Sequence, residues 1–161
     1  MTTFEHILQK IQAWPQAAHN VNRWQQQGDE IVFTNGCFDL LHRGHYAYLA
    51  QAKDLGHHLV VGLNSDASVR RLKGENRPIH TEQDRALALA ALSFVDLVVI
   101  FEQDTPLELI NLLRPDVLVK GGDYNIDTIV GAAETLALGG QVLALPFVEG
   151  FSSTAIINKL S

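Results

Sequence analysis

Five short runs of strand-forming residues recur along this chain, each separated from the next by a stretch with helical spacing. That alternation restricts the fold more than any other feature. The runs are Glu30–Thr34, Leu59–Leu63, Leu97–Phe101, Val117–Lys120 and Gln141–Leu145. They are short and mostly continuous in apolar residues rather than alternating, as in strands buried on both faces of a parallel sheet. Strands that alternate with helices predict an α/β protein. Right-handed crossovers then place helices on both faces of a doubly wound, five-stranded parallel sheet.

Between the strands, helices are expected over His42–Leu55, ended by Gly56, and over Asp66–Leu72. Thr81-Glu82-Gln83-Asp84 resembles a capping box and opens a helix toward Leu92. Thr105-Pro106-Leu107-Glu108 reads as a Thr N-cap with proline at the first helical position, and that helix stops at Arg114-Pro115. A further helix is expected over 128–138, and Ser152-Ser153-Thr154 opens the last one. Ahead of the sheet, Phe4, Ile7, Leu8 and Ile11 repeat at helical spacing. Trp14-Pro15 is expected to end that helix, and a weaker one is expected over 17–27. Residues 1–28 thus read as an N-terminal helical extension packed on a domain formed by 29–161, with a dimer surface as the sharper alternative.

In such sheets ligands bind beyond the carboxyl ends of the strands, where the strand order reverses. A strand order of 3-2-1-4-5 sets the loops after the first and fourth strands beside that crevice. Those loops carry Asn35–His45 and Lys120–Tyr124, the two most unusual stretches of the chain. In the first, Gly36 is expected to allow the tight turn out of the strand. Asp39 is expected to cap the turn or to lie near a metal. Cys37 reads as a small packed residue. His42 and His45 stand one turn apart at a helix start, where both imidazoles and the free backbone N–H groups can reach one anion. Gly44 is expected to leave room for a phosphate. The competing readings are two ordinary surface histidines or a metal pair, and a metal pair would need a third protein ligand.

Composition bears on the partners. The formal net charge of −6 argues against nucleic-acid binding. Yet five of the twelve basic residues, Arg70, Arg71, Lys73, Arg77 and Arg85, fall within sixteen positions, which suits a local phosphate site. Lys73 and Arg77 are the favoured clamps; Arg71 and Arg85 divide evenly between the site and a solvated surface. Asn64 and Asp66 are expected either to cap the next helix or to contact a nucleotide. His57 and His58 read as surface, and Tyr46 and Tyr48 as packing residues. One cysteine excludes an internal disulfide and suits a reducing, cytoplasmic setting. No apolar run reaches 18 residues and no signal peptide is evident, so no membrane association is expected.

The stretch T-N-G-C-F-D-L-L-H-R-G-H resembles the signature of the cytidylyltransferase-like nucleotidyltransferases, the small H-x-G-H enzymes. The similarity runs from Ile31 to the C-terminus. It takes in Asn64-Ser65-Asp66, Arg70–Gly74, Arg77-Pro78, Val119–Tyr124 and the Ser-Ser-Thr helix start. Within that family, L-V-K-G-G-D-Y and V-E-G-x-S-x-T are most similar to the heptose 1-phosphate adenylyltransferases. Departures stand at Ser153, where many relatives have Thr, and at Phe151.

The resemblance implies a Rossmann-like, HUP-type fold. It implies transfer of AMP from ATP to a sugar 1-phosphate, giving an ADP-sugar for lipopolysaccharide precursor synthesis and pyrophosphate. The rival within the family is a cytidylyltransferase acting on glycerol 3-phosphate or another small phosphorylated alcohol. The rival outside it is a non-catalytic nucleotide-binding module. The implied catalytic residues are His42, His45 and Lys73. The implied nucleotide contacts are Thr34, Asn35, Gly36, Cys37, Phe38, His42, Gly44, His45, Asn64, Arg77, Ser152, Ser153 and Thr154. The implied substrate contacts are Asp39, Lys73, Lys120, Gly121, Gly122 and Asp123. Mg²⁺ is expected on the triphosphate without a dedicated protein site. A homo-oligomer and a separate sugar kinase are the partners that such an enzyme would have.

Overall fold

The computed structural model describes all residues, 1–161. Five strands, β1 (Ile31–Gly36), β2 (His58–Asn64), β3 (Leu97–Phe101), β4 (Val117–Gly121) and β5 (Gln141–Leu145), form one sheet in the order β3-β2-β1-β4-β5. Every pairing is parallel. This is the expected doubly wound order, with its reversal between β1 and β4.

Side chains alternate across each strand, so the sheet has two apolar faces. On one, Ile31, Phe33, Val60, Val99 and Phe101 meet α2 (Trp14–Gln26), α6 (Leu107–Leu113) and α7 (Ala132–Ala137). On the other, Val32, Val61, Leu63, Val98, Val117 and Val119 meet α3 (Arg43–Lys53) and α5 (Glu82–Ala90). Counted with the elements that cover it, each face belongs to a cluster of fifteen buried hydrophobic residues, so the sheet itself is the centre of the core.

The N-terminal helices differ from expectation. Trp14-Pro15 opens α2 instead of closing α1 (Thr3–Gln9). Proline lacks an N–H, which costs nothing in a first turn where the N–H groups have no helical partner. Residues 10–12 then run beside β3: Lys10 O accepts from Val98 N at 2.8 Å, and Gln12 N donates to Val98 O at 3.0 Å. The Trp14 indole N–H donates to Ile100 O at 2.9 Å. Ala17 and Val21 of α2 are fully buried in the core.

Three further boundaries move. β1 runs on to Gly36, because Asn35 and Gly36 still pair with Gly62 and Leu63. α6 starts at Leu107, with the Thr105 hydroxyl accepting from its N–H. The stretch expected as one helix over 128–138 is a 3₁₀ turn (Ile126–Thr128), then Gly131 in the left-handed region at φ +86°, then the short α7. Of the remaining helices, α8 (Ser153–Leu160) starts at the expected Ser cap, whereas α4 (Asp66–Lys73) is capped by Ser65 and not by Asn64 or Asp66. His58 is not a surface residue: it stacks on Trp24 at 3.8 Å and bonds Asp29 at 2.9 Å. Tyr46 is exposed and packs against no core.

Candidate active site

A cavity of about 910 Å³ opens at the carboxyl ends of the strands, over the β1/β4 crevice. Its volume suits a nucleotide-sized ligand. Two helix N-termini, those of α3 and α8, converge on it.

At the first, His42 is the N-cap of α3. Its Nδ1 accepts from Gly44 N at 3.1 Å, and the His45 Nδ1 accepts from His42 N at 3.3 Å. The two imidazoles thus cap the helix in the way that Ser and Glu do in a capping box. With both Nδ1 lone pairs committed to backbone donors, each neutral ring carries its proton on Nε2. The rings lie 3.9 Å apart with an interplanar angle of 30°. Burial lowers the pKa of His42; burial and then the neighbouring His42 lower that of His45 to about 4. At neutral pH both are uncharged Nε2–H donors beside the helix N–H groups.

The glycines of this segment serve its rings. A Cβ on Gly44 would lie 2.9 Å from His42 Cε1, so glycine lets the imidazole fold back to cap. A Cβ on Gly36 would lie 2.9 Å from the Phe38 ring. The turn itself is made by Phe38 and Leu40, both left-handed at φ +46° and +57°. This corrects the expectation that Gly36 makes the turn. Such conformations cost about 1–3 kcal/mol each for non-glycine residues and persist where the surroundings over-determine them.

Asp39 supplies part of that determination. Its buried carboxylate accepts from Ile79 N at 2.7 Å, His80 N at 3.1 Å and the Arg77 Nε at 3.2 Å. Burial by itself would raise its pKa; the two N–H groups and the guanidinium outweigh this and hold it below the ordinary value. Asp39 thus anchors the basic loop, and its carboxylate is engaged within the protein rather than open to substrate. The Ser153 hydroxyl donates to Asp39 O and Leu40 O, tying the start of α8 to the same turn. Ser152 caps α8 by accepting from Ala155 N at 3.0 Å.

Asn35, Gly36, Cys37, Phe38, Asp39, His42, Gly44, His45, Asn64, Lys73, Arg77, Lys120, Gly121, Ser152, Ser153 and Thr154 all line the cavity. Thr34, Gly122 and Asp123 do not. Thr34 is fully buried, its hydroxyl bonded to Tyr48, which in turn donates to Val119 O. Gly122 is left-handed at φ +113°, a backbone requirement, and Asp123 is exposed outside the cavity. The Asn64 amide donates to Ser68 Oγ at 2.9 Å. Burial raises the pKa of Cys37, which stays a thiol. Burial lowers that of Lys120, whose ammonium sits 5.8 Å from the Tyr124 ring centroid. No group of three His, Cys, Asp or Glu side chains is arranged to hold a metal ion.

Three residues gain roles that sequence reasoning had not assigned. Phe147 lines the cavity while 69% exposed, with its ring against Gly121 and Gly122; a Cβ on either would come within 2.9 Å. The glycine pair was the available signal. Phe151 lies beside the His42 ring and under the Arg43 guanidinium. Arg85, one candidate for a surface charge, is instead 2% exposed and bonded throughout. Arg71 is the surface cation, paired with the exposed Asp104 at 2.8 Å.

The chain is similar to several known proteins. The chain is 57% identical over 152 residues to "Bifunctional protein HldE" of Magnetococcus marinus, which covers 94% of this chain and 31% of that protein. It is 58% identical over 139 residues to the protein of the same name from Koribacter versatilis, covering 86% and 29%. The chain therefore spans about a third of the length of these relatives. Among solved structures, the lipopolysaccharide core biosynthesis protein of Thermoplasma volcanium superposes with a TM-score of 0.60 at 29% identity, covering 75% of this chain and 98% of that one. Pantothenate synthetase of Thermus thermophilus, at 18% identity and a TM-score of 0.62 over 91% and 67% of the two chains, shares the fold. The family model described as cytidylyltransferase-like matches residues 33–159, from within β1 through the capped histidines to α8, and the chain belongs to that family.

Proposed function

We propose that this chain transfers AMP from ATP to a heptose 1-phosphate, releasing pyrophosphate and forming ADP-heptose for the lipopolysaccharide core. The observation that carries the reading is the pair of neutral Nε2–H imidazoles at the N-terminus of α3, facing a cavity that Lys73, Arg77, Lys120 and the N-terminus of α8 also line. The heptose-type motifs supply the sugar, and the Thermoplasma volcanium neighbour, a lipopolysaccharide core biosynthesis protein, supports the pathway.

An oxygen of the sugar phosphate forms a bond to the α-phosphorus. The bond from that phosphorus to the α–β bridging oxygen breaks, and its electron pair leaves on pyrophosphate. The nucleophile is already ionised near neutral pH, so the site needs no strong base. What it must supply is alignment and charge neutralisation. The Nε2–H groups of His42 and His45 and the free N–H groups of α3 donate to phosphate oxygens as charge moves onto them. Thr154 and the N-terminus of α8 approach the triphosphate from the other side. Lys73 and Arg77 hold the departing phosphates, and Lys120 holds the sugar 1-phosphate. Mg²⁺, carried by the triphosphate, adds neutralisation of its charge. The substrates place the reaction in the cytoplasm, downstream of a kinase that makes the sugar phosphate.

Pyrophosphate release should be measured with each nucleoside triphosphate, Mg²⁺ and heptose 1-phosphate. Release with ATP is expected. Release with CTP alone, or with glycerol 3-phosphate in place of the heptose, would replace this reading by the cytidylyltransferase one.

A further inference from the structure

We infer that Arg85 is a positioning residue for nucleotidyl transfer: its buried guanidinium sets the relative placement of the three segments that carry the site's donors and cations. The inference rests on the reading of the site as a nucleotidyltransferase centre.

Arg85 lies in α5, behind the cavity and not among its lining residues. Its Nη1 donates to Cys37 O at 2.9 Å and to Asn64 O at 2.7 Å. Its Nε donates to His80 O at 3.0 Å, and its Nη2 to Asp66 Oδ1 at 2.8 Å. These acceptors belong to three separate parts of the wall. Cys37 begins the turn that leads to His42. Asn64 and Asp66 fix the end of β2 and the start of α4, whose last residue is Lys73. His80 closes the loop that carries Arg77.

The His80 residue is held from both sides, since its N–H donates to Asp39 and its C=O accepts from Arg85. Asp39 and Arg85 do not touch each other in any hydrogen bond, yet both hold the same short loop against the β1 turn. Side-chain hydrogen bonds of this pair of buried charges thus join the β1 turn, which leads to the histidines, to the loop that carries Arg77.

The chemistry of the side chain fits the role. A guanidinium presents five N–H donors in a rigid plane, and three nitrogens here serve four acceptors in different directions. An ammonium offers one point of charge and cannot span them. Three of the four acceptors are backbone carbonyls, which have little capacity to hold a buried cation except in this geometry. A small misplacement of aligned groups lowers rate on the order of 100-fold, far more than it weakens binding.

The test uses the full chain with Arg85→Lys and Arg85→Ala, assayed for pyrophosphate release after melting curves and circular dichroism establish the folded fraction. Both variants should be folded at the assay temperature. The kcat per folded molecule should fall on the order of 100-fold, with KM for ATP changed less than about threefold. Methylguanidinium added to Arg85→Ala should restore part of the lost kcat per folded molecule by filling the vacated volume, a response that a general loss of stability does not produce. Folded Arg85→Lys with wild-type kcat, a folded Arg85→Ala without rescue, or failure of both variants to fold would overturn the assignment. The last result would make Arg85 a strut of the fold. Wild-type protein serves as the control for the underlying reading. Absence of pyrophosphate from the wild type refutes nucleotidyl transfer and this inference together, whereas active wild type with equally active Arg85→Lys refutes the inference alone.

Discussion

His42 and His45 each commit one ring nitrogen to the backbone of the helix they open, and this has a consequence for stability. A proton added at Nδ1 would break the cap, and burial already disfavours the charge. The His45 pKa of about 4 in the folded chain lies below the ordinary 6.5 of an unfolded one. Between those values the unfolded state binds more protons, so stability falls as pH falls from 6.5 toward 4. His42 shifts in the same direction. Urea midpoints at pH 7 and pH 5 should show this loss, and His45→Gln should reduce it. Asp39 acts in a different window: its lowered pKa gives stability that is lost only as pH drops below the ordinary 3.8. Asp39→Ala leaves the partly buried Arg77 guanidinium and two N–H groups without their acceptor and should cost about 3 kcal/mol, read as a lower urea midpoint at unchanged slope. The roles of these residues were only partly legible. That the two histidines share a helix start follows from their spacing. That Asp39 bonds residues 77–80 does not, because those partners lie some forty positions away. The burial of Arg85 left no trace either: its acceptors are mostly carbonyls, which every residue has.

The elements were legible where a cap or an apolar run marks them. The Thr81 and Ser152 caps stand where they were expected, since side-chain capping is a local interaction; at α4 the cap is Ser65, between the two residues, Asn64 and Asp66, that were expected to serve. The N-terminal helices were misjudged at Trp14-Pro15, because proline both follows and opens helices and the local sequence does not say which. The tertiary contact decides. Residues 10–12 extend beside β3, and Trp14 must start the next helix for its indole to reach Ile100 O. These contacts also cover an edge strand that would otherwise offer free N–H and C=O groups to other chains. Trp14→Phe keeps the ring but loses the hydrogen bond, and should cost about 1 kcal/mol. The expected signs are a melting temperature lower by about 3 °C and faster hydrogen exchange at the amide of Val98, with kcat unchanged.

At the scale of the molecule, the strand order was the most legible feature, since the handedness of crossovers leaves few arrangements of five alternating units. That order brings the N-termini of α3 and α8 together, although 110 residues separate their first positions, Arg43 and Ser153. On the proposed reading a chain of net charge −6 has to hold a triphosphate. Charges more than about 8 Å away are largely screened at physiological ionic strength, so Lys73, Arg77 and Lys120 would outweigh a distant negative surface. Binding should therefore stabilise the whole sheet. MgATP at 100 times its dissociation constant adds about 2.7 kcal/mol, which corresponds to a rise in melting temperature of about 5–10 °C for a domain of this size. His42→Ala and His45→Ala separate holding from reacting. Each removes a donor whose main value arises as charge develops at the α-phosphate, so each should keep most of the ATP-induced shift while turnover falls on the order of 100-fold or more. A module that only binds nucleotide would show the shift without pyrophosphate in the wild type as well. A site whose histidines mainly grip the ground state would lose shift and turnover in equal measure. Melting curves and pyrophosphate release on the same three proteins distinguish these cases, because linkage reports the affinity of the folded state for ATP and turnover reports the difference between that affinity and the one for the transition state.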